Sequence, residues 1–274
     1  MPVDNASSAT ETDRQRDAAL LADVVRAAGA LGLAMFRTDY KSWTKAGTSP
    51  VSDADIAVND LIQARLQTAR PDYGWLSEES ADDESRLTKP LTWIIDPIDG
   101  TRGYIAGRED WCVSAALVEN GLPVIAAVFA PATDEFFFAV RGAGASCNDL
   151  PITATPGDDL DLSRIAGPKP MVEWLNPATA PEVTPYPRIG SLALRLCRVA
   201  DGVIDAGLAG GQSRDWDLAA ADLIVHEANG KMTELSGDPL IYNRKDVTHG
   251  LLVAAGAARH ARIVELIRNR NGSD

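Results

Sequence analysis

The 274-residue chain predicts a layered α/β protein, on three observations. The first half reads as two helices followed by an antiparallel strand meander. The second half alternates strands with helices, the pattern of sheets covered by helical layers. Composition agrees, because 45% hydrophobic and 24% charged residues can bury a large core without disulfides.

The elements follow in order. Residues 1–12 are small and polar, bury nothing, and are expected to be disordered. Leu20, Leu21, Val24, Val25, Ala28 and Leu31 recur at helical spacing and predict an amphipathic first helix. Lys41 to Pro50 reads as an exposed loop. A second helix starts near Ser52, which forms a capping box with Asp55 and is followed by Ile56, Leu61, Ile62 and Leu66. Trp75-Leu76 and Trp93-Ile94-Ile95 read as strand ends. Longer strands run from Trp111 to Glu119, Leu122 to Ala130 and Glu135 to Val140, with Asn120-Gly121 marking a hairpin between the first two. The proline-rich stretch from Thr155 to Pro187 puts a join near Pro156. It divides an N-terminal half, 13–155, from a C-terminal half, 156–274. Beyond the join come a strand near Ile165, a helix from Ser191 to Ala200 and a strand near Val203 to Ala206. A helix from about Asp217 to Ala228, strands near Met232 and at Leu251 to Ala254, and a last helix from Ala257 to Arg268 complete the chain.

Charge narrows the partners. Lys plus Arg is 26 and Asp plus Glu is 39, a net charge of −13, which repels nucleic acid polymers and anionic membranes. A phosphate-bearing ligand therefore needs metal ions or a local cationic patch. Cys112, Cys147 and Cys197 form no CxxC pair, which argues against a disulfide framework and fits a reducing compartment. The N-terminus has no apolar signal core. Ala18 to Phe36, the most apolar stretch, is interrupted by Asp23 and Arg26 and is not expected to span a bilayer. A cytoplasmic protein is the expectation.

Trp93 to Thr101 (WIIDPIDGT) carries the strongest chemical signal. An apolar strand ends in Asp96, Pro97 turns the chain, Asp99 follows, and Gly100-Thr101 opens a helix. Two carboxylates beside the free N–H groups of a helix start suit Mg²⁺ together with phosphate. The same residues are also favourable turn chemistry, which alone would account for them. Glu78, in Ser77-Glu78-Glu79-Ser80, ends another strand and would sit beside Asp96 across a shared sheet edge. Asp217 begins a helix, where capping is its ordinary role, and Asp55 has the same double reading. His226, His249 and His260 lack metal-site spacing and read as packing or surface residues. No nucleophile elbow or P-loop is present, and Arg141-Gly142-Ala143-Gly144-Ala145 reads as a turn.

Taken together, the segments resemble the Mg²⁺-dependent, lithium-sensitive phosphatases of the inositol monophosphatase superfamily. The resemblance rests on WIIDPIDGT, Trp216 to Gly230 (WDLAAADLIVHEANG), Ser77 to Ser80 (SEES), Pro50 to Asp55 (PVSDAD) and Gly190 to Asp205 (GSLALRLCRVADGVID). It implies an αβαβα sandwich and a site holding two to three Mg²⁺ ions. Glu78, Asp96 and the Ile98 carbonyl would hold one ion, Asp96, Asp99 and Asp217 a second, with a third near Glu78. Thr101 with Glu78 would orient and deprotonate the attacking water, and Asp55 would support the cluster. Gly100 and Thr101 would bind phosphate, with Asp99, Gly190, Ser191 and Arg214 as further substrate contacts.

The continuation Arg102-Gly103-Tyr104 is similar to that of the 3'(2'),5'-bisphosphate nucleotidases, the CysQ-type branch. The segment before Asp215 also lacks the acid that inositol phosphatases place there. Hydrolysis of the 3'-phosphate of 3'-phosphoadenosine 5'-phosphate is the implied activity. Inositol-1-phosphate or another sugar phosphate is the alternative. The resemblance also implies a small phosphate ester as partner and a homodimer as the expected assembly.

Overall fold

The computed structural model describes residues 5–44, 50–175 and 183–271. Two helices, α1 (Asn5–Met35) and α2 (Asp53–Ala69), flank a two-stranded ribbon of β1 (Ser42–Thr44) and β2 (Pro50–Ser52). Next come β3 (Gly74–Ser77), a 3-10 turn (Glu84–Thr88), β4 (Leu91–Asp99) and the short α3 (Thr101–Ile105). The meander continues through β5 (Cys112–Glu119), β6 (Leu122–Ala130), β7 (Glu135–Val140), β8 (Ala145–Cys147) and β9 (Leu150–Pro151). The second half holds β10 (Arg164–Ala166), α4 (Lys169–Glu173), β11 (Thr184–Pro185), α5 (Leu192–Ala200), β12 (Ala206–Ala209) and β13 (Ser213–Arg214). It ends with α6 (Asp215–Glu227), β14 (Gly230–Glu234), β15 (Thr248–His249), β16 (Leu252–Gly256) and α7 (Ala257–Asn271).

Two sheets organise the molecule. Strands β3 to β9 form a seven-stranded sheet in sequence order, with β3 parallel to β4 and every later pair antiparallel. The second sheet has five strands in the order β11-β10-β12-β16-β14. Helices α1 and α2 cover one face of the large sheet, α5 and α6 lie between the sheets, and α7 packs on the second sheet. The layers are therefore αβαβα. Helix α6 shows why the middle layer forms. Leu218, Ala219, Ala220, Ala221, Leu223, Ile224 and Val225 are all buried, as a helix apolar on every side must be.

Several local expectations hold. Ser52 N and Oγ both donate to Asp55 Oδ2, at 2.8 and 2.6 Å, closing the start of α2. Asn120 and Gly121 both take positive φ (51° and 83°), the conformation a two-residue hairpin needs. The Gly142–Gly144 run is a turn whose N–H groups at 142 and 144 donate to the two Glu227 carboxylate oxygens, both at 2.9 Å.

Others are corrected. Helix α1 begins at Asn5, not after Thr12, because extending an existing helix costs less than nucleating one. Residues 1–4 lie outside the described residues. Part of the expected Lys41–Pro50 loop is strand β1, paired with β2, and residues 45–49 lie outside the description. The strand expected at Val203–Ala206 falls at Ala206–Ala209, and α6 starts two residues before Asp217. Despite Asp23 and Arg26, the Thr12–Met35 helix is long and apolar enough to cross a membrane by length and composition. Its Leu21, Val24, Val25 and Ala28 are instead fully buried in the core against α2 and the large sheet.

Candidate active site

The site forms where β4 runs out. Register Ser77↔Ile95 in the parallel β3–β4 pair brings Glu78 alongside Asp96, and Glu78 N donates to Ile95 O at 3.2 Å. Ladder pairing with β5 is interrupted between Asp96 and Asp99, and Ile98 N donates to Asp96 Oδ1 at 3.0 Å. Gly100 then turns at φ +95°, a conformation suited to glycine, before α3 begins. A cavity of about 520 Å³ opens there, lined in part by Glu78, Asp96, Ile98, Asp99, Thr101 and Asp217. One oxygen from each of Asp96, Asp99 and Asp217 lies within 4.8 Å of the others. Glu78 faces the same cavity outside that set.

Asp99 and Asp217 are held in place by hydrogen-bond donors. Asp99 Oδ2 accepts from Ser191 Oγ and Ala193 N, both at 2.6 Å. Asp217 Oδ2 accepts from Arg214 N at 2.7 Å, so the residue caps α6 while it faces the cluster. Thr101 Oγ1 lies 3.1 Å from Asp55 Oδ1 and 2.9 Å from Ile98 O. The aromatic rings of Tyr104 and Trp111 pack edge to face, 4.8 Å apart, within the cluster that buries Ile98.

The electrostatics are severe. Burial, reinforced by Glu78, Asp99, Asp217 and Asp55, pushes the Asp96 carboxyl well above its ordinary range. Burial and Asp99 do the same to Asp217. Asp99 is also raised by burial, against the lowering pull of its bonds from Ser191 and Ala193. Burial raises Asp55 as well, opposed by the Ser52 and Thr101 bonds. Packed carboxylates of this kind call for a cation. An all-oxygen donor set without Cys or His suits a hard divalent ion such as Mg²⁺.

Most of the expected residues converge here. Glu78, Asp96, Ile98, Asp99, Gly100, Thr101, Gly190 and Asp217 line the cavity, and Asp55 stands behind Thr101. Two expectations are corrected. Ser191 is fully buried beneath Asp99 as its hydrogen-bond donor and does not line the cavity. Arg214 is exposed and outside the lining: its backbone enters β13, its amide donates to Asp217, and its guanidinium charge acts on that acid.

The cations at the cavity are instead Arg102, Arg108 and Arg188. Arg188 also lines a neighbouring cavity of about 410 Å³, together with Lys169, Tyr186 and Arg195 and no carboxylate. Arg195 Nε is buried without a hydrogen-bond partner. Burial and Arg188 hold this guanidinium below its usual pKa, with Asp99 pulling the other way. Sequence reasoning missed Arg188, Arg195 and Lys169. The available signal was an arginine set among the apolar residues of Leu192–Ala200.

A sheet sandwich with buried acids at its seam defines a class, and comparison with known proteins gives the family. The profile of the inositol monophosphatase family matches residues 13–271, and the chain belongs to that family of phosphatases. It is 35% identical over 231 residues to the Nus factor SuhB of Xylella fastidiosa, covering 78% of this chain and 81% of the relative. It is 34% identical over 210 residues to an inositol-1-monophosphatase of Mesorhizobium japonicum, covering 73% and 77%. Among solved structures, the extragenic suppressor protein suhB of Bartonella henselae superposes with a TM-score of 0.79. That pair is 28% identical and covers 91% of this chain and 97% of the other.

Proposed function

We propose that the chain is a Mg²⁺-dependent phosphomonoesterase of the cytoplasm acting on a small phosphorylated metabolite. The observation that carries this reading is the convergence of Asp96, Asp99 and Asp217 oxygens within 4.8 Å of one another beside Thr101. Asp96, Asp99, Asp217, Glu78 and the Ile98 carbonyl would hold two to three Mg²⁺ ions. When bound, Mg²⁺ supplies charge that stabilises the phosphoryl oxygens and acidifies the attacking water. Thr101, backed by Asp55, orients that water and passes its proton on, with Glu78 assisting. The N–H groups of Gly100 and Thr101 hold the phosphate. No His or Ser nucleophile is required.

For the substrate, the reading is a bisphosphate, with 3'-phosphoadenosine 5'-phosphate as its leading example. The support is the adjoining cationic cavity, whose Lys169, Arg188 and Arg195 offer a second anionic group the positive charge that a −13 protein otherwise lacks. Arg214, first expected in this role, is replaced by these three.

The test is phosphate release from a panel, with and without EDTA. The panel comprises 3'-phosphoadenosine 5'-phosphate, inositol-1-phosphate, fructose 1,6-bisphosphate and histidinol phosphate. Turnover should vanish in EDTA, and the nucleotide should rank first in kcat/KM. Inositol-1-phosphate in first place would overturn the substrate assignment and leave the phosphomonoesterase standing. EDTA-resistant turnover would overturn the metal dependence.

A further inference from the structure

Two aspartates open α6, and only one faces the catalytic cavity. Successive helical residues are about 100° apart, so positions 215 and 217 point to opposite sides of the helix. Asp217 meets the acid cluster. Asp215 turns the other way and is buried, with its Oδ1 2.7 Å from His249 Nε2 and its Oδ2 accepting from Asn243 N, also at 2.7 Å. Both carboxylate oxygens are thus engaged away from the cavity.

The backbone repeats this grip. Asp215 N donates to Val247 O at 3.0 Å, Gln212 N donates to His249 O at 3.1 Å, and Ser213–Arg214 pairs antiparallel with Thr248–His249. Two turns along α6, Asp222 Oδ2 accepts from Tyr242 Oη at 2.9 Å, and the Tyr242 ring stands 5.3 Å from the imidazole. His249 and Asp215 side chains are each 1% exposed. Nδ1 of His249 is buried with no hydrogen-bond partner, so an apolar ring would fill this space at lower desolvation cost. What an apolar ring would lack is the bond to Asp215.

We propose that the buried His249–Asp215 pair is a positioning device that holds the first turn of α6, and with it Asp217 and Gln212, against the catalytic cavity. The pair does not touch substrate or metal. It works by denying the helix start the freedom to swing its cavity-facing acid away. Its functional consequence rests on the metal-centre reading above.

The test compares His249→Ala with His249→Gln, whose amide can still donate to Asp215. Mg²⁺ binding to the full chain is measured by calorimetry, and amide hydrogen exchange is followed across residues 212–217. His249→Ala should weaken Mg²⁺ binding about 10-fold, the lower end for loss of a residue supporting a metal ligand. It should also speed exchange at 215–217, and His249→Gln should recover most of both. Equal losses in the two variants would reduce the pair to packing and overturn the proposal, as would unchanged exchange in His249→Ala. Should His249→Ala fail to fold, Asp215→Asn provides the same two readouts with the same expectations. A wild-type chain without Mg²⁺ affinity would sink the metal-centre reading, and the exchange data would then decide the clamp alone.

Discussion

Two cavities share Arg188 and differ in their acids. One gathers Glu78, Asp96, Asp99 and Asp217, and the other is lined by Lys169, Arg188 and Arg195 without a carboxylate. Burial raises the carboxyls of Asp96, Asp99 and Asp217 above their ordinary range, so the group calls for positive charge from outside the chain. Of the cations, Lys169 and Arg188 are exposed, while Arg195 is held deeper. A net charge of −13 describes neither wall. The local field is set by which side chains the two sheets bring to their seam.

The sharpest way to break this contrast is Asp96→Asn. Turnover should fall to background, because the residue stands within the acid set and shares its charge with every neighbour. The metal-free variant should nevertheless melt above the metal-free parent. Asp96 has a folded-state pKa raised above its ordinary 3.8, so its ionisation opposes folding. The parent's stability in EDTA is therefore highest below that value and is lost as pH rises through the raised one. Asp96→Asn should flatten that decline, as seen in melting temperature against pH. Activity near the parental level would end the metal assignment.

Thr101→Val has a smaller expected effect. Removing the hydroxyl between Asp55 and Ile98 should cost about 10² in kcat, the scale of a lost proton relay. The Mg²⁺ concentration for half-maximal rate should move little. A variant that merely required more Mg²⁺ would show that the hydroxyl builds the site rather than orienting water.

The cationic wall gives the smallest change and the finest distinction. Arg195→Gln should lower the ratio of kcat/KM for adenosine 3',5'-bisphosphate over adenosine 3'-monophosphate by about 10-fold, the loss of one charge-assisted bond. Arg214→Gln should leave that ratio alone, since Arg214 lines neither cavity. A reversal between these two variants would restore the role that the sequence first suggested for Arg214.

Legibility followed distance along the chain. Asp96, Asp99, Gly100 and Thr101 lie on one strand, turn and helix start, so their convergence could be read from local pattern. Asp217 and Glu78 came from motifs; the parallel β3–β4 pair then brings Glu78 beside Asp96, and the packing of α6 on the large sheet brings Asp217. Arg188 and Arg195 were not legible, because only the packing of α5 against the second sheet brings them to one cavity with Lys169. Ser191 shows the converse. Its place before a helix was readable, yet whether its hydroxyl faced substrate or Asp99 depended on contact across 92 residues.

That contact between Asp99 and residues 191 and 193 also sets an order in time. A nascent chain with its first 160 residues exposed already holds Glu78, Asp96 and Asp99, but not the two donors that orient Asp99. Asp217 is synthesised later still. The proposed site cannot form piecemeal during synthesis, since its acids and their supports lie far apart along the chain. Turnover would therefore report that the second sheet has docked, and a truncated product would be silent however well its first sheet had formed.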